Sequence, residues 1–175
     1  MEIGLVLLRA VVGLLMAGHG AQKLFGWFDG HGLDGTAGFL QSLGWHPARR
    51  FAVLLGASEL LGGLALALGF ATPLAAGVVI AVLANAAWVV HRQHGLWNTN
   101  GGYEYPLALA GAALALAFTG PGIYSVDTVL GWPLAGPVWG LIALGIGLLG
   151  WLGGVTARIL RPAGRHFTPN RLRVA

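Results

Sequence analysis

Five polar or charged residues sit inside stretches that are otherwise apolar: Arg9, His19, Gln22, Glu59 and Asn85. Each is a type that can hold a proton or hydrogen-bond a small molecule, and each is costly in apolar surroundings. A charge at mid-bilayer costs about 2.5–3.5 kcal/mol on insertion scales, so it persists only when paired, hydrated or used. Glu59 falls near the middle of its stretch and Arg9 in the outer part of another. In adjacent antiparallel helices the two would differ by roughly 7 Å in depth, at 1.5 Å per residue. A long arginine side chain bridges that, so an Arg9–Glu59 ion pair is expected. It either locks two helices together or borders a polar pocket for a ligand head group or a proton.

His19 stands four residues before Lys23 and three before Gln22. Imidazole titrates near neutral pH, so His19 is either a packing residue near a helix end or a proton donor to a quinone-like carbonyl. His91 and His94 are three apart, but no carboxylate or third histidine at obvious spacing completes a metal set, and no metal is expected. P-loop, dinucleotide, nucleophile-elbow and His-Glu-x-x-His patterns are all missing, which disfavours a self-contained enzyme of soluble type. The string Asn98-Thr99-Asn100-Gly101-Gly102-Tyr103-Glu104-Tyr105-Pro106 dictates a sharp turn and then a helix start bearing an acid between two tyrosines. It is either an interfacial turn or the polar mouth of a site shared with the first helix. The candidate pocket is therefore Arg9, His19, Lys23, Glu59, Asn100, Tyr103 and Glu104.

The elements that must carry these residues follow from composition. Of 175 residues, 56% are hydrophobic and 9% charged, against about 25% charged in a soluble domain. So few charges cannot cover a globule in water, and lipid must solvate much of the surface. The apolar stretches run over about 3–24, 47–69, 73–90, 103–118 and 137–160. Each reaches or approaches the ~20 residues that cross ~30 Å; the fourth is shortest and needs its flank or a thinned bilayer. Pro47, Pro73 and Pro137 mark helix starts. Within 25–46, residues 36–43 suggest a short interfacial helix flanked by Trp27 and Trp45, with a glycine-rich loop as the other reading.

Five spans place the termini on opposite sides. With the C-terminus in the cytoplasm, nine of the ten basic residues, all but Arg9, fall on or near that side, and the outer connections carry none. This accounts for the net charge of +4 without nucleic acid as a partner. The first apolar run carries Arg9 and lacks a basic region before it, so it reads as a retained helix in a multi-pass inner-membrane protein. There is no cysteine, which removes disulfides and thiolate chemistry from this chain. In the last stretch, Gly136, Gly140, Ala143, Gly147, Gly150 and Gly154 recur in steps of four and three. Such a seam of small residues packs either inside the bundle or on a partner subunit or second copy.

Several motifs together resemble the DoxX family of small membrane proteins. They are Leu8-Arg9, His19-Gly20-x-x-Lys23-Leu24-Phe25-Gly26, Gly32-Leu33-Asp34-Gly35, Ala57-Ser58-Glu59-Leu60-Leu61-Gly62-Gly63 and the string from Asn98 to Leu107. The resemblance covers about residues 8–130 and implies an all-α, four-helix transmembrane bundle over 1–130. This chain adds a fifth transmembrane helix at 131–160 and a basic cytoplasmic tail at 161–175. Relatives are described as subunits of a thiosulfate:quinone oxidoreductase, or as membrane partners of thiol- and superoxide-handling enzymes. The resemblance thus implies a membrane subunit of a quinone-linked oxidoreductase, with quinone as the possible cofactor and lipid and other subunits as partners. An accessory or assembly subunit is the alternative, and a small-solute transporter the third choice. The lack of cysteine speaks against a thiol relay in this subunit.

Overall fold

A computed structural model describes residues 2–160, whose regular secondary structure is all helical, without a strand. The expected tail at 161–175 lies outside the described residues. Long helices α1 (Glu2–Phe25), α3 (Ala48–Leu68), α4 (Thr72–Ala86) and α5 (Glu104–Thr119) form the bundle, and α7 (Pro137–Ile159) lies against α4 and α5. Two short helices sit at its ends, α2 (Gly32–Ser42) and α6 (Val126–Val129). The α2 segment is a helix, not a loop, and begins earlier than the spacing of Phe39, Leu40 and Leu43 suggests. α4 runs on through a π turn at Ala87–His91 and a tight turn at Arg92–His94.

Among the described residues, four helices are long and apolar enough to cross a bilayer: α1, α3, Thr72–His94 and α7. α5 has 16 residues, roughly 24 Å at 1.5 Å per residue. It nevertheless returns from one end of the bundle to the other. Gly77, Ile80 and Asn85 of α4 meet Ile146, Gly147 and Gly154 of α7 in the same order, so α4 and α7 run parallel, and the connection between them must cross back. Large apolar side chains point outwards along the bundle, among them Leu7, Leu14, Leu61, Leu141 and Leu149, as lipid-facing surfaces require.

The tightest packing is between α1 and α3. A Cβ on Gly13 would lie 2.5 Å from the Gly63 carbonyl and the Ala67 nitrogen; one on Gly63 would lie as close to Gly13 and Ala17. A Cβ on Gly20 would lie 2.6 Å from the Gly56 carbonyl. Glycines seven apart on each helix let the backbones touch, which replaces the hydrophobic drive that lipid removes. The same contacts fix the register: Gly13 is level with Gly63–Ala67, and Gly20 with Gly56–Leu60. The seam on α7 faces inwards. Ala143 is fully buried, Gly140 lies on the Phe118 ring, Gly147 on Ile80, Gly150 on Ala81 and Gly154 on Asn85. Gly136, at φ +100, precedes the helix and donates to the Phe118 carbonyl.

Candidate functional site

The register of α1 and α3 rules out the expected Arg9–Glu59 pair. Glu59 is level with His19, so Arg9 is about ten residues away, roughly 15 Å along the axis. Arg9 is buried at the opposite end, where Nε donates to the Ala67 carbonyl at 3.1 Å and its two terminal nitrogens to the carbonyls of Pro121 and Tyr124. The Ala67 carbonyl belongs to the last turn of α3, the negative end of a helix. Nearby, fully buried Asp127 caps the start of α4. Its carboxylate accepts from Ala71 N–H at 2.6 Å, Thr72 N–H at 3.0 Å and the Thr72 hydroxyl at 2.7 Å. Ala71, the residue preceding α4, has no side chain able to do this. Arg9 and Asp127 therefore tie the 120–136 connection to α1, the end of α3 and the start of α4.

Glu59 instead meets Lys23: Nζ lies 2.6 Å from Oε2, with the carboxylate buried and the lysine half-buried. The contact is a close ion pair between the ammonium and the carboxylate. The pair borders a cavity of about 310 Å³ between α1, α2, α3 and α4. Apolar and aromatic side chains line the rest, notably Phe39, Leu43, Trp45, Phe51 and Leu55, with Val89, Val90 and His91 supplied by the π turn. A π turn rotates side chains off the regular helical stripe, which brings adjacent Val89, Val90 and His91 to one wall. Trp45 is 8% exposed, stacks edge-on against Phe51 at 4.9 Å, and its indole Nε1–H has no hydrogen-bond partner among the described residues. A buried donor left unpaired costs about 1–3 kcal/mol.

Of the seven candidate pocket residues, Lys23 and Glu59 line this cavity, and so do Asn85 and His91, which the sequence also singled out. His19 stands one turn before Lys23 on α1, with Nδ1 3.0 Å from Gln22 Oε1 and its ring edge-on to Tyr105 at 6.2 Å. Asn100, Tyr103 and Glu104 do not belong to the wall. Glu104 Oε2 accepts from Asn98 N–H at 2.9 Å, and His91 Nδ1 lies 2.8 Å from the Gly101 carbonyl, so the motif folds on itself as a turn before α5. The seven candidates thus separate into Arg9 at one end of the bundle and the remaining six at the other, not one pocket. Trp45, Phe51 and Asn85 complete the wall. Asn85 stands out in the sequence by its polarity inside an apolar stretch; nothing there sets the other two apart from membrane anchors or packing.

Arranged this way, the cavity is an apolar slot bordered by the Trp45 indole, an ammonium and a carboxylate. It can hold an acceptor-bearing head group and exchange a proton with it. Residues 4–92 match the family model described as DoxX. Over 126 residues the chain is 31% identical to a protein of Bacillus subtilis (strain 168) named "Putative oxidoreductase CatD", covering 72% of this chain and 86% of that one. No solved structure matches it.

Proposed function

Because the chain belongs to the DoxX family of multi-pass membrane proteins, we propose that it is the membrane subunit of a quinone-linked oxidoreductase, with the Lys23–Glu59 cavity as its quinone head-group site. The observation that carries this reading is the unpartnered Trp45 N–H in a wall that also holds a buried ion pair. Binding pockets are mostly apolar with a few placed polar groups, and at about 310 Å³ this one falls in their range. A quinone carbonyl accepts hydrogen bonds and donates none, which suits Trp45 Nε1–H and the Lys23 ammonium. A quinone contributes reversible two-electron, two-proton chemistry when bound, and the electrons come from a partner subunit. The chain's own part is to bind and orient the ring, exclude water with Phe39, Leu43 and Phe51, and hold a proton at Glu59. Lys23 pairs with the carboxylate and half-reaches solvent, so it links Glu59 to water.

The described basic residues other than Arg9 stand at the cavity end of the bundle: Lys23, Arg49, Arg50, Arg92 and Arg158. By the positive-inside rule that end faces the cytoplasm of an inner membrane and the start of α1 faces outwards. Partner subunits or a second copy would meet the outward face of α7, with Val138, Leu141, Leu148 and Leu152, since the small-residue seam is taken up by α4 and α5. The test is purification in mild detergent, solvent extraction and mass spectrometry. Near-stoichiometric quinone in the wild type and little in Glu59→Gln is the expected result; no quinone in either would overturn the proposal.

A further inference from the structure

If the cavity is the ligand site, as just proposed, then what holds the wall formed by Leu43 and Trp45 matters to binding. α2 ends in a tight reversal. Gly44 N–H donates to the Gln41 carbonyl and Trp45 N–H to the Leu40 carbonyl, both at 3.0 Å, with Gly44 at φ +92. This is the six-to-one and five-to-two pairing of a Schellman turn, which favours glycine at the left-handed position. The turn folds Trp45 back onto Leu40 and Ala52. It leaves the Leu43 carbonyl outside the helix ladder. Arg158, in the last turn of α7, takes that carbonyl: its Nε donates at 2.7 Å. Ala157 beside it packs on the same Leu40–Trp45–Ala52 cluster. The start of α2 is tied elsewhere, by the Thr36 hydroxyl 3.2 Å from the Lys23 carbonyl. α2 is thus held by α1 at one end and by α7 at the other, and α7 lies beyond the segment that matches the family model.

We propose that Arg158 is a positioning residue for the cavity: by holding the Leu43 carbonyl it keeps Leu43 and Trp45 against the ligand space, so the last membrane helix sets how tightly the site closes. Arg158 touches no ligand in this scheme; it acts through the α2–α3 turn.

The chain has no cysteine, so a single introduced thiol reports without background. Leu55→Cys places it in the cavity wall and Ala113→Cys in the fully buried core. The rate of alkylation by a water-soluble maleimide is measured for each, with and without Arg158→Ala. The expected result is a tenfold or greater rise at position 55, none at position 113, and a return to within about threefold with Arg158→Lys, which can still donate to a carbonyl. Equal rates at position 55, or an equal rise at both positions, overturn the proposal. A second arm uses the cysteine-free chain, since thiols add to quinones, and follows release of a short-chain benzoquinone. Release at least fivefold faster in Arg158→Ala is expected; unchanged release from a protein that binds the probe overturns the positioning role. Failure of the parent chain to bind the probe overturns the quinone reading instead and leaves the alkylation rates to decide the role of Arg158.

Discussion

Lys23 on α1 and Glu59 on α3 meet at 2.6 Å where the two helices are held in register by glycine-on-backbone contacts. Their charges are the polar centre of an otherwise greasy cavity, and removing either one has a calculable consequence. Lys23→Met strands a buried carboxylate, and breaking a buried pair costs about 3–5 kcal/mol. Glu59→Gln costs less, because the half-buried lysine can turn to water. Adding Glu59→Leu to Lys23→Met restores most of the loss. Thermal unfolding in detergent should rank them in that order; equal losses for both single variants would contradict the placement.

The contact between α1 and α3 makes a sharper stability prediction. Gly13→Ala or Gly63→Ala forces a methyl to within 2.5 Å of the facing backbone, so the helices must part. Overpacking of this kind costs about 1–3 kcal/mol. Gly4 and Gly18 on the same helix have nothing within 4 Å, so alanine there gains helix propensity, by about 0.5–1 kcal/mol. Melting temperatures of the four variants should fall and rise accordingly.

Asp127 predicts a local effect. Its carboxylate accepts three hydrogen bonds at the start of α4, and bonds to a charged group contribute about 1.5–3 kcal/mol each. Asp127→Ala should destabilise the protein by several times the effect of an exposed substitution, with fast hydrogen exchange confined first to Ala71–Thr72 and the turn before α6. Uniform exchange across the bundle would contradict a capping role.

On α7, Gly147→Leu should drive the helix off Ile80, whereas Gly145→Leu, with open space beside it, should be tolerated. Protease or thiol accessibility along α4 checks this. Accessibility raised equally by both would show that the seam is not the inward face.

How much of this could be read from residues alone follows from what each signal encodes. The apolar stretches, the charge asymmetry and the α7 seam are one-dimensional patterns, and the helices follow them within a few residues. The α2 helix was half legible, through Phe39, Leu40 and Leu43. The Arg9–Glu59 pair failed because depth estimated from sequence assumes where each helix begins relative to the bilayer. Register is set instead by Gly13 and Gly20 against Gly56 and Gly63, a seven-residue spacing present in the sequence but meaningful only once the two helices are known to touch. Asn100, Tyr103 and Glu104 looked like a site because the string is distinctive; its distinctiveness is spent on a turn, with Glu104 bonded to Asn98 N–H. Trp45 was legible as an aromatic at an interface, and its missing hydrogen-bond partner belongs to three dimensions only.

That missing partner gives the most direct test of the quinone site. Trp45→Phe keeps a ring in the wall and removes the orphan N–H, so the unliganded protein should be as stable or slightly more stable, by about 1 kcal/mol. Equilibrium titration of a short-chain benzoquinone into wild type and Trp45→Phe should then show saturable binding that weakens about tenfold in the variant, the equivalent of about 1.4 kcal/mol. Binding of equal strength in the two proteins, or none in the wild type, would contradict the account.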